Sequence, residues 1–460
     1  MTFRVVVRTG AASDPKGKEG LVALTAAMLT EGGTRQLTYD QLVEALYPMA
    51  VQVRYQVDKE MTTFSAETHV DNLEAFYGIF MPMLLDPGWR EGDLKRLKDQ
   101  TTNQIRVSLR ANNDEELGKE VLYNLLYAGH PYGPLTLGSA RSVASIGLGD
   151  LKQFWRSNYT QGSITIGLAG AYPATFPARI RRDLAVLAPG KRTAPVRPAP
   201  PALNGWKLHI VDKPTRSVAY SIGFPIEVKR GHPDYLALLV AQSFLGPHRS
   251  SAGVLFQNLR EKRGLNYGDY AYIEYFPRGM FQFEPDPNLA RTQQIFQLWI
   301  RPVEAPTAHF ALRLAIHELD RFIQNGLTAA QFEQTRNFVT KNVNLLTKTK
   351  SAELGYAIDS LFHGIPNYGR YVSEGLQRLT VSDVNRAIKK HLQLRNVQVV
   401  AISPKGEELK RKLLGNEPSP MQYTSEKPQA LLDEDKLVAA RKLLFTAEKT
   451  QVTPVDRLFE

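Results

Sequence analysis

The sequence repeats itself at long range, and this constrains the fold more than any other feature. Asp150 in Leu148-Gly149-Asp150-Leu151-Lys152-Gln153-Phe154 and Asp383 in Val381-Ser382-Asp383-Val384-Asn385-Arg386-Ala387 stand 233 positions apart. The runs that follow, Ile164-Thr165-Ile166-Gly167-Leu168 and Val397-Gln398-Val399-Val400-Ala401, keep the same offset. Upstream, His130-Pro131-Tyr132-Gly133 has a loose counterpart in Ile365-Pro366-Asn367-Tyr368-Gly369. The halves also begin alike. A strand-like segment (4–8; 217–223) leads through a polar turn to an apolar helical segment (20–29; 235–245). A period this long, with helix and strand patterns in each unit, means duplicated domains and not a solenoid of short repeats. The fold class predicted is α+β: two duplicated domains, each a mixed or antiparallel β-sheet packed with several α-helices.

In the first half, Arg4-Val5-Val6-Val7-Arg8 reads as a strand with inside/outside alternation. Paired strands at 51–56 and 61–68 follow, then long helices across 70–86, 91–112 and 115–128, and a closing helix and strand from Leu148 to Leu168. The seam, Pro189 to Pro201, is Pro-rich; fixed φ and missing backbone donors make it an extended linker. The predicted division is 1–186, a linker at 187–204, a second domain at 205–404 and an extension at 405–460. That extension holds a basic helix near 406–414, then turn-rich sequence, then a segment from Asp433 to Leu444, and is expected to pack along the body.

At 460 residues and 43% hydrophobic, the chain can bury more than one core. It has no apolar run long enough for a transmembrane helix. Cys is absent, which excludes disulfides and thiolate zinc sites. The net charge of +11 is dispersed, with local clusters at Arg179, Arg181, Arg182 and at Lys410-Arg411-Lys412. No aromatic-rich motif accompanies them, so they read as solvated faces and no nucleic acid is expected. The nine histidines form no close i, i+4 pair, and His317-Glu318 sits in an ordinary amphipathic helix pattern. Gly246 to Gly253 lacks the Gly-Lys-Ser/Thr ending of a phosphate loop.

Two motifs carry a resemblance. Phe256-Gln257-Asn258-Leu259-Arg260-Glu261-Lys262-Arg263-Gly264-Leu265-Asn266-Tyr267 resembles the L-R-E-K-R-G-L-x-Y sequence of the pitrilysin/insulinase-like zinc metallopeptidases, the inverzincins. Gly20 to Leu29 has the frame of the helix that in those enzymes bears H-x-x-E-H, two zinc-binding histidines and a catalytic glutamate. Here Ala23, Ala26 and Ala27 occupy the His, Glu and His positions. The family's third ligand is a glutamate about 75 residues beyond the motif. Gln104, in Asn103-Gln104-Ile105 and with 76 residues between it and Ala27, fits its place. The bland reading is an ordinary buried helix of good helix formers, with a surface arginine and a strand-buried tyrosine.

The resemblance covers about 3–404 and the end of the tail, and is to the short two-domain bacterial type. It implies domains facing each other like a half clamshell, with chains paired around a chamber. Arg260 and Tyr267 would be catalytic contributors that hold a peptide backbone and stabilise an oxyanion in the partner's active site. The vestigial positions would hold no metal or cofactor in this chain. Zinc would reside in a homologous H-x-x-E-H-bearing partner subunit of a heterodimeric metalloendopeptidase acting on peptides. The alternative is a catalytically dead scaffold or binding protein without a peptidase partner. Relatives normally have one or two further strands before residue 4, so the N-terminus is expected to be processed, truncated or mis-assigned. Localisation stays unknown, with periplasm favoured over cytoplasm by resemblance alone.

Overall fold

The computed structural model describes residues 1–190, 197–277, 279, 282 and 284–460. Residues 191–196 of the expected linker therefore lie outside the described residues. The first half builds a four-stranded antiparallel sheet from β1 (Thr2–Val7), β2 (Arg54–Val57), β3 (Thr62–Glu67) and β4 (Ile164–Ala169), in the order β2-β3-β1-β4. The second builds six strands: β5 (Trp206–Asp212), β6 (Ser217–Ile226), β7 (Asp269–Tyr272), β8 (Gln294–Glu304), β9 (Val397–Ser403) and β10 (Thr450–Pro454). Their order is β10-β5-β9-β6-β8-β7. The run β9-β6-β8-β7 repeats β4-β1-β3-β2, so the sequence duplication is also a duplication of sheet topology. β5 and β10 have no counterpart in the first sheet among the described residues, which leaves β4 as an edge strand.

Each half packs its own helices on one sheet face. In the first, helices Leu21–Glu31, Leu73–Leu85 and Leu148–Asn158 share one apolar cluster with β1 and β3. In the second, Tyr235–Leu245, Ala308–Asn325 and Val381–His391 do the same with β5, β6, β8 and β9.

The opposite faces hold a surprise. Helix Asp114–Leu126, expected as part of the first half, lays Leu117, Val121, Leu122 and Leu126 on Val211, Ala219, Val400 and Ile402 of the second sheet. In return, helix Lys350–His363 lays Leu354, Ile358 and Phe362 on Val6 and Met61 beneath the first sheet. The halves exchange a helix. Gly167 of β4 permits the second contact: a Cβ there would sit 2.8 Å from the Ile358 Cδ1 and 3.0 Å from the Leu354 Cδ1.

The exchange corrects the reading of β1. Every residue of β1 is buried, because helix Lys350–His363 covers the face that alternation assigned to solvent. Arg4, on that face, reaches across to the second half and donates to Asn288 Oδ1 (2.6 Å) and Ser351 O (3.1 Å). A buried guanidinium held by neutral acceptors is thus part of the seam.

The tail packs along the second half, with bounds that differ from those expected. Its second helix runs Gln429–Ala440, starting behind Pro428 and stopping short of 444. Arg263, fully buried at its side chain, pins that helix through Glu434 and Asp435 at 2.7 Å each. β10 then adds to β5 in parallel register.

Candidate functional site

Arg260 and Tyr267 come from one short excursion of the chain. The helical turn Phe256–Glu261 has π geometry, with Lys262 N–H donating to Gln257 O. Such turns displace a side chain relative to an α-helix and recur at functional sites. Leu265 is buried and anchors the return. Asn266 then locks the turn: its Nδ2 donates to Asp269 Oδ1 (2.6 Å) and Arg301 O (3.1 Å), and its Oδ1 accepts from Gly268 N–H (3.2 Å). The backbone at Gly268, with φ +157°, suits only glycine, and an added Cβ would lie 2.5 Å from the Tyr270 hydroxyl. The result lifts Tyr267 out, 68% exposed.

The structure brings the two predicted residues together. The Arg260 Cζ lies 4.4 Å from the Tyr267 ring centroid and 4.7 Å from that of Phe256. Arg260 Nη1 also donates to Tyr267 O at 3.3 Å. Guanidinium stacking on an aromatic face fixes the plane of the fork while leaving its donors available.

A third residue, not foreseen, joins them. The Arg301 Cζ sits 5.6 Å from the Tyr267 centroid. Its Nε donates to Glu115 Oε1 at 2.8 Å. Burial alone would lower the Arg301 pKa, but Glu115 and Tyr270 together outweigh it and raise the value. Behind the turn, burial holds the Asp269 carboxyl well above the usual range, so it stays protonated more readily than a surface aspartate. Nothing in the spacing signalled Arg301–Glu115. Glu115 belongs to the exchanged helix, and the run Asp114-Glu115-Glu116 reads locally as an acidic first turn.

The four positions that the resemblance marks as vestigial lie in the other half. Ala23, Ala26 and Ala27 are buried in helix Leu21–Glu31, at 6%, 0% and 3% exposure. Asp14 holds the start of that helix: its carboxylate oxygens accept from Gly20 N–H and Val22 N–H, each at 2.8 Å. Burial pushes the Asp14 carboxyl up to about 7. Gln104 stands where helix Glu91–Asn103 gives way to a π-helix, Gln104–Ala111. It lines a cavity of about 520 Å³ with Gln56, Asp58, Asn113, Glu116 and Glu120. Their charges are already engaged. Glu116 pairs with Lys119, Asp58 with Arg291, and Glu120, raised in pKa by burial, accepts from the Tyr275 hydroxyl at 2.9 Å.

Among the described residues one His/Asp cluster has metal-like spacing, His232, Asp234 and His391. Its carboxylate is spoken for: Asp234 bonds Arg386 and Lys390 at 3.0 Å each and His391 at 2.8 Å. Two full cations at contact distance oppose a dication, so this cluster ties the start of helix Tyr235–Leu245 to the end of helix Val381–His391. His130-Pro131-Tyr132-Gly133 forms a turn, with His130 Nδ1 accepting from Tyr132 N–H at 3.0 Å. No helix among the described residues is long and apolar enough to cross a membrane.

Residues 145–339 match the family described as the peptidase M16 inactive domain. The non-peptidase homolog YmxG of Helicobacter pylori is 22% identical over 414 residues, covering 88% of this chain and 89% of that one. The crystal structure of a peptidase M16 inactive domain from Pseudomonas fluorescens superposes with a TM-score of 0.76 at 22% identity, covering 88% of this chain and 92% of the other. A chain of complex III2 from Candida albicans shares the fold at a TM-score of 0.70 and 16% identity, covering 88% and 91%. The duplicated α+β halves, the Arg260/Tyr267 motif and these likenesses agree in pointing to the pitrilysin/insulinase-like (M16) peptidases, with residues 145–339 matching that family's inactive domain.

Proposed function

We propose that this chain is the noncatalytic subunit of a two-chain zinc peptidase, lending Arg260 and Tyr267 to a partner that bears H-x-x-E-H and the zinc. One observation carries the reading: Tyr267 is held out to solvent with Arg260 stacked against it, while Ala23, Ala26 and Ala27, which the resemblance puts in the places of zinc ligands and base, are buried. An alanine methyl has no lone pair, and the Gln104 amide brings no charge, so this donor set does not fit zinc. No step is assigned to a metal in this chain.

What the chain's own residues can do is orient and stabilise. The Arg260 fork and the Tyr267 hydroxyl are donors fixed before a peptide arrives, as carbonyl binding and oxyanion stabilisation require. Co-purification from the native extract with one equimolar H-x-x-E-H chain is the outcome expected. In the reconstituted pair, Arg260→Ala or Tyr267→Phe should lower turnover by about 10²-fold, the scale for losing one oxyanion donor. Unchanged turnover in both variants would end the proposal.

A scaffold role is the second reading, favoured by the likeness to a complex III2 chain and to a non-peptidase homolog. It predicts stable assembly with proteins lacking H-x-x-E-H.

A further inference from the structure

The duplication leaves one place filled in the second half and open in the first. β4 and β9 keep an offset of 233, and so do the helices that follow them. Phe176 and Ile180 of helix Phe176–Leu184 stand 233 positions before Leu409 and Leu413 of helix Gly406–Gly415. In the second half β5 pairs with β9 in parallel, placing Trp206, Leu208 and Ile210 opposite Val397, Val399 and Ala401. Helix Gly406–Gly415 packs on β5, and Leu409 and Leu413 join the same apolar cluster. Covered in this way, Val397, Val399 and Ala401 are each 0% exposed.

The first half has the same strand and the same helix, but no strand beside β4 among the described residues. Ile164, Ile166 and Leu168, the counterparts of the three covered residues, are only half-buried. They form one wall of a groove of about 450 Å³, and Ile180 and Leu184 form the other. The backbone there is open as well. Arg8 N–H donates to Ser163 O at 2.9 Å, so Ser163, Thr165, Gly167 and Ala169 are the residues of this ladder that bond to the first strand. Ile164, Ile166 and Leu168 therefore turn their N–H and C=O groups to the free edge. The strand has no charge, proline or bulge, the usual guards of a bare edge.

Charge marks one end of the groove. Gln161 Nε2 donates to Leu187 O at 2.7 Å, which brings the end of helix Phe176–Leu184 beside the start of β4. Arg181, close to that helix end, lines the groove and has no ion-pair partner among the described residues. Its neighbours are engaged: Arg179 meets Glu74, and Arg182 meets Asp183.

We propose that the β4 edge takes an extended segment of another protein: a strand parallel to β4, apolar at alternate positions and acidic near its amino end. Three apolar side chains would lie beside Ile164, Ile166 and Leu168 as those of β5 lie beside β9, with main-chain hydrogen bonds to the same three residues. The acid would meet Arg181. A second copy of this chain fits less well, because its own β4 is uncharged and brings Arg179, Arg181 and Arg182 with it. The groove lies in the half that does not carry Arg260 and Tyr267.

The probe is the β5 sequence behind one added acid, Glu-Gly-Trp-Lys-Leu-His-Ile-Val-Asp, fluorophore-labelled and titrated against the full chain by anisotropy. It should bind saturably, and a version with Ser at the Trp, Leu and Ile positions should not. Arg181→Ala should weaken it by about 2- to 5-fold, the upper range for one exposed ion pair, with the difference fading at high salt. Ile166→Lys should abolish binding; where that variant does not fold, Arg181→Ala and the Ser peptide still decide. A photocrosslinker at the amino end of the peptide should mark residues around Gln161 and Leu184. No saturable binding, equal binding of the two peptides, indifference to Arg181→Ala, or crosslinks elsewhere, β9 included, would each overturn the proposal. So would a stable dimer of this chain that the peptide does not dissociate.

Discussion

Replacing Asp58 by Asn should destabilise the whole chain, because Asp58 neutralises a cation that has no other escape. Asp58 sits in the turn between β2 and β3, and Arg291 lies in the segment entering β8. Their side chains are 2% and 1% exposed. Arg291 donates through Nε to Asp58 Oδ2 (2.7 Å) and through Nη2 to Oδ1. Its guanidinium lies 3.5 Å from the centroid of Tyr275 and 5.1 Å from that of Tyr123, sealed from the solvent that could otherwise stand in for the carboxylate. Two charge-assisted hydrogen bonds, at roughly 1.5–3 kcal/mol each, place the loss near the about 3–5 kcal/mol typical of a broken buried pair. The amide of the variant would retain one acceptor, so the expected cost is about 3 kcal/mol, the low end of that range.

The double variant Asp58→Asn, Arg291→Met removes the stranded charge and should recover most of that loss. Urea unfolding followed by tryptophan fluorescence measures both, since Trp89 and Trp155 report from the first half and Trp206 and Trp299 from the second. A coupling energy of at least about 2 kcal/mol is expected from the cycle. A single-variant cost under about 1 kcal/mol, or simple addition of the two effects, would refute the reasoning.

Two other outcomes follow from the same structure. Burial pulls His309 down to about 4, below its ordinary 6.5, so the unfolded chain binds the extra proton first. The stability it contributes is full above about pH 6.5 and is lost as pH falls towards about 4. The stability gap between wild type and His309→Leu should therefore shift in the variant's favour by roughly 1 kcal/mol per pH unit across that window; a gap constant from about pH 7 to about pH 4.5 contradicts it. Gly268→Ala should cost about 1–3 kcal/mol through its φ of +157° and the contact with Tyr270, and should disorder the Tyr267 turn. Unchanged thermal stability together with unchanged partner activation would count against that turn as the device that presents Tyr267.

Much of this architecture was legible in the amino-acid order, because duplication and periodicity can be read without knowing which surfaces meet. The strands β4 and β9 keep their offset of 233, and Arg260 and Tyr267 meet because they stand seven positions apart across one locked turn. What stayed hidden depends on which sheet an apolar face meets. Leu117, Val121 and Leu122 mark a helix face in the sequence, but nothing in their spacing says that Val211 and Val400 lie opposite. For the same reason Arg4 read as a residue of a strand with one solvent face. The strands at 54–57 and 62–67 came out shorter than the apolar pattern around them, since a ladder stops where its hydrogen-bonding partner does.

The helix exchange makes the two halves a heterodimer on one string. A fragment ending in the seam would take Asp114–Leu126 with it and leave the second sheet bare on one face; the complementary fragment would carry off Lys350–His363. Neither piece has all the surfaces that cover its own sheet, so each is a folding cofactor for the other. The tether matters chiefly as a concentration: it keeps the two at the millimolar density of a short linker, where a mixture of free fragments would have to find each other by diffusion. Cut at the seam, the protein is expected to become a complementation pair whose recovery depends on dilution, although no bond outside the linker has been touched.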